Sequence, residues 1–185
     1  TYAVSVDSCT NALFLCCKYL NVSKVTIPSK TYLSVPMRII HSGAEVVFDT
    51  TDETNNWHGS YALKPYPIYD SAKRLTSGGH IHDTFTCLSF HIKKQLKIGK
   101  GGMILMDDPE AYDWFKRARY EGRGEVFYKD DNVKTLGWNM YMTPEQASRG
   151  LTLFQNYPAE NPDLVEENGY RDLTEFDIFK DCKTI

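Results

Sequence analysis

The chain has 185 residues, of which 42% are hydrophobic, and its formal net charge is −3. This length and hydrophobic share are enough for one globular domain with its own core. The nearly balanced charge gives no electrostatic reason to expect binding to nucleic acid or to an anionic membrane. No apolar run approaches the roughly 20 residues that a membrane-spanning helix needs, and no signal peptide opens the chain.

The cysteines indicate reduced thiols. Their number is odd, and none forms a CxxC pair or a Cys/His cluster of the kind that binds zinc. Reduced thiols are typical of the cytoplasm, so we expect a cytoplasmic protein with no structural metal. The first residues already resemble a core strand, which indicates a fragment of a longer protein. The cysteines are Cys9, Cys16, Cys17, Cys87 and Cys182.

Short apolar strands alternate with amphipathic helices along the chain. This alternation predicts a largely parallel sheet with helices on both faces, which is a three-layer α/β/α sandwich. The intervening polar segments 52–65 and 122–135 are predicted to be loops. Strands are predicted over 4–6, 24–27, 44–50, 67–70, 85–90 and 101–108. Helices are predicted over 10–19, 34–41, 108–120 and 143–154, the last with Pro144 in its first turn.

Polar clusters follow four of the predicted strands, at 7–11, 28–32, 70–73 and 91–94. Ligands of parallel sheets bind beyond the carboxyl ends of the strands, so these clusters are expected to share one rim.

Each cluster alone has two interpretations. Thr10 at a helix start suits a phosphate anion, or belongs to an ordinary N-terminal cap. Tyr32 could stack on a flat ligand or pack in the core, and Asp70 could pair with a cation or cap a helix. Lys93 and Lys94 belong either to a solvated loop or to a pocket where one of them reacts.

Together the clusters match the needs of pyridoxal phosphate: a phosphate cradle, an aromatic plate, an acid for the pyridine nitrogen and an amine for the aldehyde. The chain also resembles the DegT/DnrJ/StrS family of pyridoxal-phosphate-dependent sugar aminotransferases, which have the type I aminotransferase fold. The matching stretches, in family order, are VSVDSCTNAL, VTIPSKTYLSVPMRIIHSGAEVVFDTTDE, IYDSAKRLTSG, CLSFHIKKQLKIGKGGMIL and LGWNMYMTPEQASRGL.

The resemblance implies a role for each matching residue. Lys94, five residues after the serine of the Ser-Phe motif, matches the lysine that forms a Schiff base with the cofactor. Asp70 matches the acid that bonds the pyridine nitrogen. Ser89 and Thr10 match phosphate-binding residues, and Tyr32 matches the aromatic residue that stacks on the ring.

The resemblance also implies the activity and the assembly. The expected reaction transfers an amino group, from glutamate as the expected donor, to a keto group of a nucleotide-linked sugar. Asn139 matches an asparagine that reaches across a homodimer interface towards the partner's cofactor.

The chain departs from the family pattern at several positions. Cys9 replaces a glycine of the phosphate loop, and Lys73 replaces a glutamine or histidine near the ring hydroxyl of the cofactor. Tyr141 replaces an arginine that often follows the asparagine, and the segment 49–70 is shorter than usual.

Compared with the family pattern, we expect most of the small C-terminal domain to be missing. Residues 1–156 are therefore predicted to be the cofactor-binding large domain, and 157–185 a loosely packed remnant of the small domain. The tail is rich in proline, asparagine and acidic residues.

Two other functions stay open. Relatives that dehydrate sugars carry histidine in place of the Schiff-base lysine, so Lys94 favours amino transfer. A shortened, catalytically silent module that dimerises or binds sugars is the second, supported by the departures and opposed by the retained Asp70, Ser89 and Lys94. A plain nucleotide-binding domain would need a GxGxxG or Walker-type loop, which the sequence lacks.

Overall fold

The computed structural model describes residues 1–165 and 169–185. The strands are β1 Tyr2–Val6, β2 Lys24–Pro28, β3 Glu45–Asp49, β4 Tyr61–Ala62, β5 Ile68–Asp70, β6 Phe85–Ser89, β7 Gly102–Met106 and β8 Lys183–Thr184. The helices are α1 Cys9–Tyr19, α2 Ser34–Ser42, α3 Asp52–Asn55, α4 Pro109–Ala118 and α5 Pro144–Phe154. Within the described residues, no helix is long and apolar enough to cross a bilayer.

The longer helices begin where local chemistry predicts them. The Asn11 N–H of α1 donates to the Ser8 hydroxyl. Asp108 caps α4 ahead of its proline, and Thr143 forms a capping box at the start of α5. These side chains satisfy N–H groups that have no partner within the first helical turn. The predicted boundaries of these helices are confirmed to within about two residues.

The strand pairing corrects the expectation of a largely parallel sheet, because the sheet is mixed. The five-stranded sheet has the order β1-β7-β6-β5-β4, and only its β5–β6 pair is parallel. A second sheet, β2-β3-β8, is parallel throughout. An isolated bridge joins Thr26 of β2 to Lys64, two residues after β4.

The expected rim nevertheless forms, because the strands that carry it share one direction. Strand β7 is antiparallel to both β1 and β6, so β1 and β6 run the same way, and β5 is parallel to β6. The carboxyl ends of β1, β5 and β6 therefore open at the same edge of the sheet.

The five-stranded sheet separates two hydrophobic clusters. Cys87 and Ile104 point into the larger cluster with α1, whereas Leu88 and Met103 point into a smaller one on the opposite face. This alternation follows from the two-residue period of a strand. Helix α5 lies over the smaller cluster, where the Cα of Gly150 closely approaches Ile98.

The C-terminal tail and the segment 52–65 correct two further expectations. The segment contains α3 and β4 rather than loop alone. The tail is not loosely packed: Leu173 and Phe179 are fully buried in the larger cluster, and β8 pairs with β3. The division into 1–156 and 157–185 stays a prediction.

Candidate active site

A cavity of about 600 Å³ opens at the shared carboxyl ends of β1, β5 and β6. Seven of the eight predicted site residues line it: Cys9, Thr10, Tyr32, Asp70, Lys73, Ser89 and Lys94. They come from four separate segments of the chain, each of which the sequence had placed at the end of a strand.

The start of α1 forms one wall of the cavity. Thr10 Oγ1 is hydrogen-bonded to Ser34 Oγ at 2.8 Å, and Ser89 Oγ accepts from the His91 N–H at 3.4 Å. A Cβ on Gly102 would lie 2.4 Å from the Ser8 carbonyl carbon, so only glycine lets β7 approach the helix start this closely. Hydroxyls and first-turn N–H groups at the positive end of a helix form a site for an anion.

Asp70 is the buried acid of the cavity. Its side chain is hydrogen-bonded by the Ala72 N–H at 3.0 Å and by the Tyr61 hydroxyl at 3.0 Å, and Tyr61 in turn bonds Thr31 at 2.6 Å. Burial raises the pKa of Asp70, while these two donors and the charge of Lys94 oppose that rise. The donors stabilise the ionised carboxylate in a place where burial disfavours it.

Cys9 adds a thiol beside this acid. Its sulfur lies 3.9 Å from Asp70 Oδ1 and 3.6 Å from the Cys87 carbonyl oxygen, to both of which it can donate. Burial, and next the negative charge of Asp70, raise the pKa of Cys9 well above its usual value. The thiol is therefore held neutral and is a poor nucleophile.

The two candidate lysines lie in the turn that follows β6. The Lys94 N–H donates to the His91 carbonyl at 2.8 Å, which closes the turn. Both side chains line the cavity, but Lys93 is exposed and Lys94 is half-buried. The positive charge of Lys94 opposes the rise in the pKa of both Asp70 and Cys9.

Tyr32 and Lys73 occupy the remaining walls. Tyr32 is 58% exposed at the cavity mouth, so its ring is not part of the core and is accessible to a flat ligand. Lys73 is only 7% exposed, and its Nζ lies over the ring of Trp57.

Asn139 is not brought to this cavity. It is exposed, and its Nδ2 donates to Glu121 Oε1 at 3.0 Å. The eighth predicted residue thus lies outside the cavity of its own chain.

Sequence reasoning missed the residues that support this set. Tyr61 and Thr31 extend the hydrogen-bond chain from Asp70, and Trp57, Leu164 and Tyr170 line the cavity. Only Trp57 had a local signal, as a large aromatic residue in a polar segment. Tyr170 lies 100 positions after Asp70, and no local pattern connects the two.

The residues present fit pyridoxal phosphate. The cavity volume is in the range of cofactor pockets. A buried carboxylate with two donors suits a protonated pyridine nitrogen, a hydroxyl-lined helix start suits the phosphate, and a half-buried lysine suits the aldehyde.

The comparisons with known proteins agree with this geometry. The model of the DegT/DnrJ/EryC1/StrS aminotransferase family matches residues 1–60 and 71–161. The chain therefore belongs to this family. The interval between the two matched ranges holds β4 and β5, so the assignment of Asp70 rests on the geometry of the cavity.

Individual relatives share moderate similarity. The chain is 28% identical to the spore coat polysaccharide biosynthesis protein SpsC of Bacillus subtilis, over 81% of this chain and 51% of that protein. It is 28% identical to the UDP-4-amino-4,6-dideoxy-N-acetyl-beta-L-altrosamine transaminase of Helicobacter pylori, over 50% of this chain and 24% of that protein.

Solved structures show the same fold. AtS13 from Actinomadura melliaura has a TM-score of 0.71 at 18% identity, covering 84% of this chain and 55% of that one. Helicobacter pylori PseC, an aminotransferase of pseudaminic acid biosynthesis, has a TM-score of 0.68 at 18% identity, covering 85% and 54%. The chain thus has the fold of the type I aminotransferases and spans about half the length of SpsC and of these structures.

Proposed function

We propose that this chain binds pyridoxal phosphate and transfers an amino group from a donor amino acid to a keto group of a nucleotide-linked sugar. The observation that carries this proposal is the convergence of Asp70, Lys94 and the α1 start on one cavity. Family membership and the type I fold support it.

Each residue has a role that follows from its surroundings. Thr10, Ser89 and the first-turn N–H groups of α1 hold the phosphate. Asp70, whose ionised form is stabilised by the Ala72 N–H and the Tyr61 hydroxyl, would hold a proton on the pyridine nitrogen. The exposed face of Tyr32 covers one side of the ring.

Lys94 is the proposed reactive amine of the site. When bound, the cofactor supplies an aldehyde for the amino group and a ring that accepts electrons. Lys94 Nζ is the amine that would hold the aldehyde of the cofactor, and as a free amine it could take up and return a proton. Burial of Lys94 relative to Lys93 favours it for this role, because water has less access to it.

The substrates, assembly and location complete the proposal. Glutamate is the proposed donor, by resemblance to the family. A nucleotide-linked sugar is supported by the transaminase of Helicobacter pylori, whose name specifies a UDP-sugar. The proposed assembly is a cytoplasmic homodimer; four buried cysteine thiols in the core are consistent with a reducing compartment.

The test is covalent trapping of the cofactor. Purified protein is incubated with pyridoxal phosphate, reduced with borohydride, digested and mapped by mass spectrometry. The expected result is a cofactor-derived mass on Lys94, retained in Lys93→Ala and lost in Lys94→Ala. A folded protein that gains no absorbance band and no adduct would instead support the silent module. Sugar dehydration without amino transfer would support the dehydratase.

A further inference from the structure

Two aromatic rings lie beside the buried ammonium group of Lys73. Lys73 Nζ lies 4.4 Å from the centroid of the Trp57 ring and 4.5 Å from that of Tyr170. The rings are inclined by 15°, with their centroids 5.8 Å apart. Both distances are within the range of cation–π attraction, which is stronger where the cation is shielded from water. We call Trp57, Lys73 and Tyr170 the aromatic cage.

Tyr170 reaches the cavity because the chain is fixed on both sides of it. Before it, Asp163 accepts from Arg74 Nε at 2.9 Å and Arg74 Nη2 at 2.6 Å. The Leu164 N–H donates to the Lys73 carbonyl at 2.9 Å. After it, Asp172 accepts from the Ser29 hydroxyl at 3.1 Å.

Gly59 allows this C-terminal segment to approach closely. The position of a Cβ on Gly59 lies about 2 Å from the Asp163 carboxylate, so a side chain there would displace it. Gly59 also has a φ of +63°, which favours glycine. The described parts of the C-terminal segment thus dock on the cavity through specific bonds.

We propose that Tyr170 and Trp57 are positioning residues that hold the Lys73 ammonium at the wall of the cavity that would bind the cofactor. This rests on the proposed function for the identity of the ligand. A lysine side chain has many rotamers, and two aromatic faces restrict them. The C-terminal segment therefore supplies part of the cofactor site from within the same chain.

The first experiment compares Tyr170→Leu, which removes the ring, with Tyr170→Phe, which keeps it. Dissociation constants for pyridoxal phosphate are measured by fluorescence, and the bound cofactor is titrated by absorbance. In Tyr170→Leu the dissociation constant is expected to rise about tenfold. The pH midpoint of the bound cofactor is expected to rise as well, because a less ordered Lys73 cation would disfavour protonation of the cofactor less. Tyr170→Phe, which keeps the ring, should lie closer to the wild type than Tyr170→Leu does.

A double variant separates positioning from simple packing. If Tyr170 acts through Lys73, then Tyr170→Leu adds nothing to the change caused by Lys73→Met in either readout. Full additivity, or a Tyr170→Leu variant that matches the wild type, would overturn the proposal. Thermal melts of all variants establish that they are folded.

A cofactor-free measurement tests the cage independently. Lysines are methylated with ¹³C-formaldehyde, and the Lys73 methyl signals are assigned with Lys73→Met. Ring currents should displace these signals from those of exposed lysines, and Tyr170→Leu should abolish the displacement. A Lys73 methyl signal with the chemical shift of exposed lysines would show that the two rings do not lie against Lys73. If the wild type shows a displaced Lys73 signal but binds no cofactor, the proposed function and the role of Lys73 in cofactor binding are wrong. The aromatic cage itself would still be supported.

Discussion

At the scale of single residues, the hydrogen bond from Tyr61 to Asp70 favours the ionised form of the acid. Burial raises the pKa of Asp70, and the Tyr61 hydroxyl at 3.0 Å lowers it. Tyr61→Phe removes that donor and leaves the ring in place, so the pKa of Asp70 should rise further. A bond to a charged group contributes about 1.5–3 kcal/mol, which corresponds to roughly one pH unit or more.

The cofactor dissociation constant as a function of pH measures this change. Asp70 binds a protonated ring nitrogen only when ionised, so affinity is present above its pKa and is lost as the pH falls through it. The acid limb of the profile should therefore move to higher pH in Tyr61→Phe. Tyr66→Phe is the matched control, because its hydroxyl bonds Ser23 away from the cavity. An acid limb that stays in place would contradict the role given to Tyr61.

At the scale of secondary-structure elements, the contact between β7 and α1 forms the phosphate wall. A Cβ on Gly102 would lie 2.4 Å from the Ser8 carbonyl carbon and 2.5 Å from the Cys9 nitrogen, and backbone atoms cannot rotate away. Gly102→Ala should lower the free energy of unfolding by about 2–4 kcal/mol and weaken cofactor binding. Chemical denaturation measures the first effect. Gly124→Ala is the control, since its nearest neighbour is the end of a flexible arginine side chain.

The tail makes a second prediction at this scale. Phe179 is 1% exposed and packs edge-on against Phe48 at 5.7 Å, whereas the adjacent Ile178 is 67% exposed. Phe179→Ala should cost about 3–5 kcal/mol of stability, and Ile178→Ala about 0.5 kcal/mol or less. Denaturant unfolding of the pair measures both. Equal small losses would show that the tail does not belong to the core.

These elements also show what the sequence could predict. Helix caps and apolar periods are local, so α1, α4, α5 and the strand ends that carry Asp70 and Ser89 were predicted. The direction of β7 and the pairing of the two-residue β8 depend on contacts between distant segments, which no local pattern specifies. The aromatic cage was missed for the same reason, because its residues come from distant segments. Of the three, only Lys73 was identified, through its match to the family pattern.

At the scale of the whole molecule, the position of Asn139 requires a second copy of the chain if it is to act on a cofactor. It is exposed and lies outside the cavity of its own chain. Apolar side chains nearby are also exposed, including Leu136 at 88% and Tyr141 at 36%. We predict a homodimer that buries this face and places Asn139 at the partner's cavity, as the family resemblance implies.

Mixed dimers test this arrangement. When a Lys94→Ala chain pairs with an Asn139→Ala chain, a contribution across the interface leaves one site with both residues intact. A contribution within one chain leaves none. Cofactor affinity of the Lys94-containing site should therefore equal that of the wild type in the mixed dimer, and be reduced in the Asn139→Ala homodimer. Borohydride trapping reports only on the site of the Asn139→Ala chain, since only that chain retains Lys94. A mixed dimer as weak as the Asn139→Ala homodimer would assign Asn139 to its own chain, and a monomer in sedimentation experiments would remove the partner altogether.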